Sequence, residues 1–566
     1  KDSYNYLQIS QELGIFGRSN RSDVYDMLVE LQAEGFLREI SSGRYTLADR
    51  KSQEELIGVF ERRHNGMHNV RITATQADGE TPLYDEPFTV YDGDDLQALS
   101  GDKVRIQKVA GRRTKFGGPQ ARVVEVIERV PHRYVGVLQK TAKYAFVTPD
   151  NRALDKDIYI PNELLGKAKN GDKVVVDFER WPAFSKNPVG RIADVLGKDG
   201  DNNTEMHAIL AEYGLPYKYP ETLVKAANRI QDGCTPEEIA RRLDYRDVTT
   251  FTIDPADAKD FDDALSLRKL PNGHWEAGVH IADVSHYVTE RSLLDKEALN
   301  RGTSVYFADR VIPMLPKELS NGICSLNAHT DRLAMSCIMK IGKDGEVVDY
   351  KIAKTVINVN HRMTYKDVNL IINGDEAKQL LYFDIKDMLL DMKELSFVLT
   401  DKRKKRGAID FDTPEAKFIL DKNGKCIEVV PYEANDATRL IENFMLLANE
   451  IVASHMYYLD LPFLYRVHET PDSDKIESLA LTVRNFGYHL KGDKEEMHPQ
   501  ELQKLLKEFE GKPEEKMISR MTLRSMKQAR YSSECLGHFG LALKEYTHFT
   551  SPIRRYPDTM VHRLLA

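Results

Sequence analysis

A cluster of aspartates between residues 254 and 263, here called the aspartate loop, is the part of the sequence best suited to chemistry. Its five carboxylates belong to Asp254, Asp257, Asp260, Asp262 and Asp263. Like charges this close repel one another unless a cation lies among them, and a bound divalent ion reverses that repulsion. The alternative is a solvated acidic turn. We favour a binding loop because β-prone residues flank it at 248–253 and 264–267, which predicts a strand on each side.

The ligand chemistry of the aspartate loop favours magnesium or manganese. All-oxygen ligation by aspartate suits Mg²⁺ or Mn²⁺ better than zinc. An EF-hand is excluded because, counting from Asp254, the sixth position is Lys259 instead of glycine and the twelfth is Leu265 instead of glutamate. Two such ions about 4 Å apart can hold the attacking and leaving oxygens of a phosphodiester. The leading chemistry is therefore phosphodiester hydrolysis.

A second charged motif lies near the end of the sequence, at residues 551–555, here called the arginine turn. Its first three residues are Ser-Pro-Ile, which place Arg554 and Arg555 on a turn. An arginine fork binds phosphate bidentately, which suits the neutralisation of charge that develops in a phosphoryl transition state. We expect Arg555 to serve in binding the phosphate backbone of the substrate.

Both motifs resemble the signatures of the ribonuclease II/ribonuclease R family, and most closely its ribonuclease R branch. Residues 252–264 match the catalytic signature, and residues 546–556 match the second signature. The resemblance implies a processive, Mg²⁺-dependent 3′→5′ exoribonuclease that hydrolyses single-stranded RNA and structured RNA with a 3′ overhang. The implied products are nucleoside 5′-monophosphates.

The resemblance also assigns roles to the charged residues. Asp254 and Asp263 are implied to ligate the more permanently bound ion. Asp260 and Asp262 are implied to help hold the second ion and to orient the attacking water. Arg554 matches the catalytic arginine of the family and is expected to offset the charge of the leaving group.

Four further residues match family positions that contact RNA. Tyr306 and Phe411 match the aromatics that bracket the stacked bases nearest the metals. Tyr365 matches a position close to the 3′-terminal nucleotide, and we count it with Asp262 and Arg554 among the expected catalytic residues. Glu442, on a predicted helix, matches an acidic residue that contacts the terminal nucleotide.

An internal repeat predicts two small β-barrels ahead of the catalytic part. Short alternating strands at 57–60, 101–106 and 122–126 recur in the same order at 135–138, 171–176 and 191–195. Repeats of this size and pattern are typical of OB or cold-shock barrels. The second copy carries Tyr144 and Phe146 next to Lys143, a pattern that stacks single-stranded bases. Core packing of these aromatics is the open alternative, and the first copy has no matching pair.

The remaining segments complete a multidomain α+β fold. A helix–helix–hairpin pattern, with a helix over 23–34 and a hairpin over 35–47, predicts a winged-helix domain; nucleic-acid contact and protein docking are equally open for it. The predicted domains are a winged helix at 1–50, barrels at 51–130 and 131–197, a linker at 198–245, and a large mixed α/β catalytic domain at 246–566. Family members usually continue into a third RNA-binding barrel, which we expect this sequence to lack.

Composition limits the possible partners, metals and cellular compartment of the protein. The 566 residues carry a net charge of −8, whereas nucleic-acid binders are usually basic, so an acidic metal site and local basic stretches must account for the difference. Five scattered cysteines without C-x-x-C spacing argue against zinc and disulfides and fit the cytoplasm. Neither a membrane span nor a signal peptide is expected. RNA is the expected partner, and the protein is expected to be a monomer.

Two other functions are consistent with parts of the sequence. The first is an RNA-binding regulator or chaperone whose catalytic domain is inactive. The presence of all four matched aspartates and of Arg554 argues against it. The second is a transcription factor that uses the winged helix, which is a small part of the chain.

Overall fold

The structure is a computed structural model that falls into two compact units, residues 1–215 and 216–566. It describes residues 4–15, 24–25, 27–29, 31–32, 37–41, 43–47, 55–63, 65–74, 83–84, 86–113, 119–152, 154–182, 185–410, 415–421, 424–432, 434–492 and 497–566. Within these ranges, no helix combines the length and apolar character that a membrane crossing requires.

The first unit begins with a small sheet and a capped helix. Its elements are β1 (Tyr4–Asn5), α1 (Tyr6–Glu12), β2 (Leu37–Ser41) and β3 (Arg44–Leu47). The predicted hairpin is confirmed, because β2 and β3 pair in an antiparallel fashion. Asn5 caps α1 by accepting the Gln8 N–H. The described residues between 24 and 32 are helical. A winged-helix domain at 1–50 remains a prediction.

Two closed five-stranded barrels follow, which confirms the barrels predicted from the internal repeat. The first contains β4 (Glu55–Glu61), β5 (Met67–Ile72), β6 (Phe88–Tyr91), β7 (Lys103–Arg113) and β8 (Pro119–Glu128). The second contains β9 (Arg133–Lys140), β10 (Ala145–Pro149), β11 (Ile158–Ile160), β12 (Asp172–Arg180) and β13 (Val189–Lys198). Around both barrels the strands follow one another in the same order, β4-β5-β6-β8-β7 and β9-β10-β11-β13-β12.

A pair of glycines at equivalent positions shows how closely the two barrels correspond. Gly58 lies on β4 and Gly136 on β9, each next to the second strand of its barrel. A Cβ on Gly58 would lie 2.5 Å from the Arg71 carbonyl oxygen, and one on Gly136 would lie 2.2 Å from that of Thr148. Neither distance is possible for a real side chain, so both barrels need glycine where the first strand crosses close to the second.

The second unit is built on a seven-stranded mixed sheet in the order β14-β21-β20-β17-β16-β15-β22. Its strands are β14 (Leu243–Asp244), β15 (Phe251–Asp254), β16 (Asp263–Lys269), β17 (Trp275–Ala282), β20 (Asp331–Ile341), β21 (Val347–Asn358) and β22 (His361–Thr364). Three two-stranded pairs accompany it: β18 (Val305–Tyr306) with β19 (Val311–Ile312), β23 (Glu415–Leu420) with β24 (Cys426–Tyr432), and β25 (Tyr465–Val467) with β26 (Arg530–Ser532).

Helices cover both faces of this sheet, as its buried central strands require. Helix α2 (Asn202–Glu212) belongs to the first unit. The helices described in the second unit are α3 (Glu221–Ala227), α4 (Pro236–Ile239), α5 (Val284–Tyr287), α6 (Leu293–Arg301), α7 (Tyr365–Ile372), α8 (Glu376–Leu381), α9 (Lys386–Arg406), α10 (Asp436–Tyr458), α11 (Ser473–Asn485), α12 (Pro499–Phe509), α13 (Glu515–Ser525) and α14 (Tyr556–Leu565). Helices α7, α9 and α10 share one apolar core with the sheet. Helices α3, α5, α6 and α14 contribute to a second core.

Candidate active site

The aspartate loop connects two neighbouring strands of the large sheet, as its flanking residues predict. Strand β15 ends at Asp254 and strand β16 begins at Asp263. The two strands are antiparallel, with Phe251 opposite Leu265. Both of these residues are fully buried, so the loop starts and ends on a rigid part of the core.

Two residues that sequence reasoning did not single out hold the loop in shape. The Ser325 hydroxyl donates to the Lys259 carbonyl at 3.0 Å and accepts the Phe261 N–H at 3.0 Å. The Arg362 guanidinium donates to the carbonyls of Ala256, at 2.7 Å, and Ala258, at 3.0 Å. Both residues lie far from the loop in sequence, and a lone serine and a lone arginine carry no pattern that would have revealed them.

The aspartates differ in burial. Asp257 is exposed, Asp254, Asp260 and Asp263 are half-buried, and Asp262 is buried. Burial raises the pKa of Asp262 well above its ordinary value, with Arg554 acting in the opposite direction. Burial also raises the pKa of Asp254 and of Asp263, and the negative charge of Asp263 adds to the rise at Asp254. The site therefore holds carboxylates that are unfavourable in their charged form without a cation.

The arginine turn reaches directly into the aspartate loop. The Ile553 N–H donates to Asp262 Oδ1 at 2.8 Å. The Nε atom of Arg554 lies 3.8 Å from Asp262 Oδ2, and nearly half of the Arg554 side chain is exposed. Two motifs nearly 300 residues apart in the chain thus form one site. The Arg554 guanidinium donates to the Ser551 hydroxyl at 3.0 Å and is partly exposed beside Asp262.

Arg555 lies in a different environment from its neighbour. Its Nη2 atom donates to Asp558 Oδ1 at 2.7 Å, and only 21% of its side chain is exposed. Burial opposes the charge of Arg555, but the Asp558 carboxylate outweighs that effect and raises the pKa of the guanidinium. The structure therefore directs Arg555 into the protein, and its predicted contact with the RNA backbone remains a prediction.

Tyr306 lies next to this site on a short hairpin. The Ser304 N–H and the Thr303 hydroxyl both donate to the Arg554 carbonyl at 3.0 Å, so the hairpin is joined to the arginine turn. Burial raises the pKa of Tyr306 to about 12, and Asp260 adds to the rise. Its side chain is still 53% exposed, as a base-stacking ring requires. The hairpin itself is formed by β18 and β19, with Val305 opposite Ile312.

The other residues predicted to contact the 3′ end have different positions. Tyr365 begins α7, directly after Thr364, which pairs with Asp254 across the parallel strands β22 and β15. Glu442 lies on α10 and accepts a hydrogen bond from Arg403 at 3.1 Å. Phe411 lies outside the described residues. The structure thus places Tyr365 close to the aspartate loop and ties Glu442 to the basic end of α9.

That basic end is the cationic run at 402–406. It forms the last turn of α9, where positive side chains interact favourably with the partial negative charge at the C-terminal end of the helix. Arg403 contacts Glu442 and Asn443, and Arg406 pairs with Glu450 at 2.9 Å. The run is therefore partly engaged with α10 and is not simply a solvated surface.

The predicted aromatics of the second barrel lie together on its outer surface. Tyr144 is 51% exposed. Its ring centroid lies 6.0 Å from that of Phe146, which in turn lies 5.4 Å from that of Tyr159. We call these three residues the aromatic face. Tyr159 completes it because β11 pairs with β10 and places Tyr159 opposite Phe146.

A group of side chains in the first barrel has the composition of a metal site. Within the described residues, His68, Asp92 and Asp95 are the only trio of such side chains whose ligand atoms all lie within 4.8 Å of one another. His68 uses both nitrogens, accepting the Arg63 N–H at 3.0 Å and donating to Asp92 at 2.8 Å. Asp95 pairs with Arg62 at 2.7 Å. These contacts form a hydrogen-bonded ion-pair network in the first barrel and leave no ligand set free.

Comparisons with known proteins match both parts of this architecture. The RNB domain family matches residues 242–566, and the cold shock domain family matches residues 146–220. Ribonuclease R 1 of Lactococcus lactis is 40% identical over 98% of this chain and 69% of its own length. Ribonuclease R of Thermotoga maritima is 42% identical over 97% of this chain and 75% of its own length.

Solved structures show the same fold. The RNase R of Mycoplasma genitalium in complex with ribose-methylated single-stranded RNA is 26% identical, with a TM-score of 0.81 over 90% of this chain and 79% of that protein. The same Mycoplasma protein in complex with double-stranded RNA is 27% identical, with a TM-score of 0.73 over 78% of each chain. The chain belongs to the RNB-domain family of ribonucleases, among the proteins named ribonuclease R.

Proposed function

We propose that this chain is a 3′→5′ exoribonuclease whose hydrolytic centre is the junction of the aspartate loop and the arginine turn. Membership of the ribonuclease R group supports the activity. The observation that carries the location is the contact between Asp262 and the arginine turn, which joins a buried carboxylate to a partly exposed guanidinium. Carboxylates that hold cations and an arginine that binds phosphate are the two parts that phosphodiester hydrolysis needs.

The side chains at this centre fit divalent cations. Asp254 Oδ2 is buried and has no hydrogen-bond partner among the described residues, a costly arrangement that a cation would relieve. The raised pKa values of Asp254, Asp262 and Asp263 point the same way, because burial disfavours their charged forms. We propose that these three residues and Asp260 hold Mg²⁺, with Mn²⁺ as a substitute. Bound there, the metal would lower the pKa of a water and stabilise the leaving oxygen.

The other residues of the centre bind and orient the RNA. Arg554 donates hydrogen bonds to the phosphate that is attacked and neutralises its growing charge. Tyr306 and Phe411 stack on the bases nearest the 3′ end. Tyr365 and Glu442 hold the terminal nucleotide. Hydrolysis at the last linkage then releases a nucleoside 5′-monophosphate in each cycle, and the stacked bases keep the RNA bound between cycles.

RNA selectivity and substrate range are part of the same proposal. Contacts to 2′-hydroxyls separate RNA from DNA. The aromatic face of the second barrel binds single-stranded bases by stacking. Structured RNA with a 3′ overhang is a further substrate, as the complex of the Mycoplasma relative with double-stranded RNA supports. The protein acts as a monomer on these substrates.

A time course with 5′-labelled single-stranded RNA tests this function. The chain should shorten the RNA stepwise from the 3′ end in Mg²⁺, with nucleoside 5′-monophosphates as the released product. Excess EDTA should stop the reaction, and added Mg²⁺ should restore it. Cleavage that persists at an unchanged rate in EDTA would contradict the metal-dependent centre. Internal fragments at the earliest times would contradict an exonuclease.

The alternative is an RNA-binding protein with an inactive catalytic domain. It predicts binding of the same labelled RNA without shortening at any Mg²⁺ or Mn²⁺ concentration. The presence of the four aspartates and the contact between Asp262 and Arg554 favour the enzyme.

A further inference from the structure

Asp558 is a buried carboxylate in the first turns of α14, next to the arginine turn but outside both charged motifs. It is 0% exposed, and its Oδ1 atom accepts two hydrogen bonds. One comes from the Ser551 N–H at 2.8 Å and the other from Arg555 Nη2 at 2.7 Å. A single oxygen therefore ties together the first and last residues of the arginine turn.

Two more contacts fix this turn, one from α14 and one within the turn itself. The Thr559 hydroxyl donates to the Pro552 carbonyl at 3.1 Å. The Arg555 N–H donates to the Ser551 carbonyl at 2.9 Å, which closes the turn on itself. Ser551, Ile553 and Thr559 are all buried. The conformation of the turn is thus fixed by its own backbone hydrogen bond and by the side chains of Asp558 and Thr559.

The turn carries two contacts to the centre proposed above. The Ile553 N–H holds Asp262 Oδ1 at 2.8 Å, and Arg554 Nε lies 3.8 Å from Asp262 Oδ2. A shift of the turn would move the guanidinium and the carboxylate together. Misplacement of reacting groups by about 1 Å can cost about a hundredfold in rate. The positions of both groups therefore depend on what fixes residues 551–555.

We propose that Asp558 is a positioning residue for hydrolysis, which acts by fixing the arginine turn and, through it, Arg554 and Asp262. This inference rests on the proposed function. Arg555 helps to fix the turn as well, because its guanidinium compensates the buried negative charge of Asp558. The two adjacent arginines thus have different roles: Arg554 contacts the substrate, and Arg555 holds the arginine turn in place.

The test is Asp558→Asn, measured by single-turnover hydrolysis of labelled single-stranded RNA and by RNA affinity. The substitution removes the charge that holds Arg555 and keeps the size of the side chain. We expect kcat to fall about ten- to a hundredfold while KM and RNA affinity change less than about twofold. An unchanged kcat in a folded Asp558→Asn protein would overturn the inference.

A double-mutant cycle with Arg554→Ala separates positioning from a general loss of stability. If Asp558 acts through Arg554, Asp558→Asn should cost far less in the Arg554→Ala background than in the wild type. Equal losses in both backgrounds would overturn the inference. The failure of the proposed function looks different, because wild-type protein would then show no metal-dependent hydrolysis at all.

Two further variants keep the test valid if Asp558→Asn folds poorly. Thr559→Val removes only the hydrogen bond to Pro552 and keeps the shape of the side chain, so kcat should fall roughly two- to tenfold. The control is Asp295→Asn on α6, which breaks an ion pair with Arg563 of α14, 2.6 Å long, and a hydrogen bond from the Tyr556 hydroxyl, and leaves the contacts of Asp558 and Thr559 to the turn in place. It should lower Tm with kcat within about twofold of wild type. An unchanged kcat in Thr559→Val, or an equal kcat loss in Asp295→Asn, would overturn the inference.

Discussion

The aspartate loop of the second unit and the aromatic face of the first differ in burial and in how firmly their side chains are held. Asp262 is buried and fixed by a backbone N–H of the arginine turn. Tyr144 is half exposed, and its ring contacts another ring at 6.0 Å. A reacting group must be placed within a fraction of an ångström, whereas base stacking tolerates any base and small displacements. Chemistry and affinity should therefore respond to different substitutions.

The first prediction concerns the Arg554 guanidinium, which lies beside the aspartate loop. Arg554→Ala should lower kcat by about a hundred- to a thousandfold, as loss of one preorganised group that stabilises transition-state charge commonly does. RNA affinity should change little, because Arg554 is one contact among many. Arg554→Lys keeps the charge without the planar fork and should recover only part of the rate. Single-turnover kinetics and a binding titration measure the two effects; a kcat near wild type for Arg554→Ala would remove Arg554 from the catalytic centre.

The second prediction removes a ring from the aromatic face. Phe146→Ala should weaken binding of single-stranded RNA by about 1–3 kcal/mol, the worth of one stacked base, and leave kcat unchanged. The first barrel supplies the control, because strand pairing places Asn69 where the second barrel has Phe146. Asn69→Ala should leave the affinity unchanged. If Phe146→Ala binds as tightly as wild type, the aromatic face has no role in RNA binding.

The third prediction concerns Tyr306, which lies beside the aspartates yet is exposed like the aromatic face. Tyr306→Ala should release longer final products, because short RNAs lose one stacking surface worth about 1–3 kcal/mol. Tyr306→Phe keeps the ring and should restore the wild-type end products. High-resolution gels of exhaustive digests give the product lengths. The same end products for Tyr306→Ala and wild type would rule out base stacking by this residue.

The smallest expected effect is on the stability of metal-free protein. Asp254 has a raised pKa in the folded state, so at pH 7.5 its charge favours the unfolded state, where the pKa is ordinary. Asp254→Asn removes that cost and should raise Tm by about 2–4 °C per kcal/mol relieved. The same substitution should reduce the rise in Tm that Mg²⁺ produces in wild type. Thermal melts with and without Mg²⁺ measure both, and a lower Tm of the metal-free variant would contradict the burial argument.

The sequence predicts the parts of the site that follow local patterns. The strands on either side of Asp254 and Asp263 follow from β-prone runs, and the barrels follow from a repeated order of strands. Ser325 and Arg362 could not be found in this way, because they support the aspartate loop from 64 to 106 residues away without any motif. The inward orientation of Arg555 could not be predicted for a similar reason. The sequence does not distinguish two adjacent arginines, and only the structure shows that Arg555 pairs with the buried Asp558.

The most direct test of the account compares Asp262→Asn with Asp257→Asn, two substitutions in the same loop. Asp262 is buried against the arginine turn, and Asp257 is exposed. Hydrolysis of 5′-labelled RNA and RNA affinity should both be measured for each variant in Mg²⁺. The account predicts that Asp262→Asn loses at least about a thousandfold in hydrolysis and still binds RNA, while Asp257→Asn matches wild type. Hydrolysis by Asp262→Asn at a rate near wild type would contradict the assignment of the hydrolytic centre.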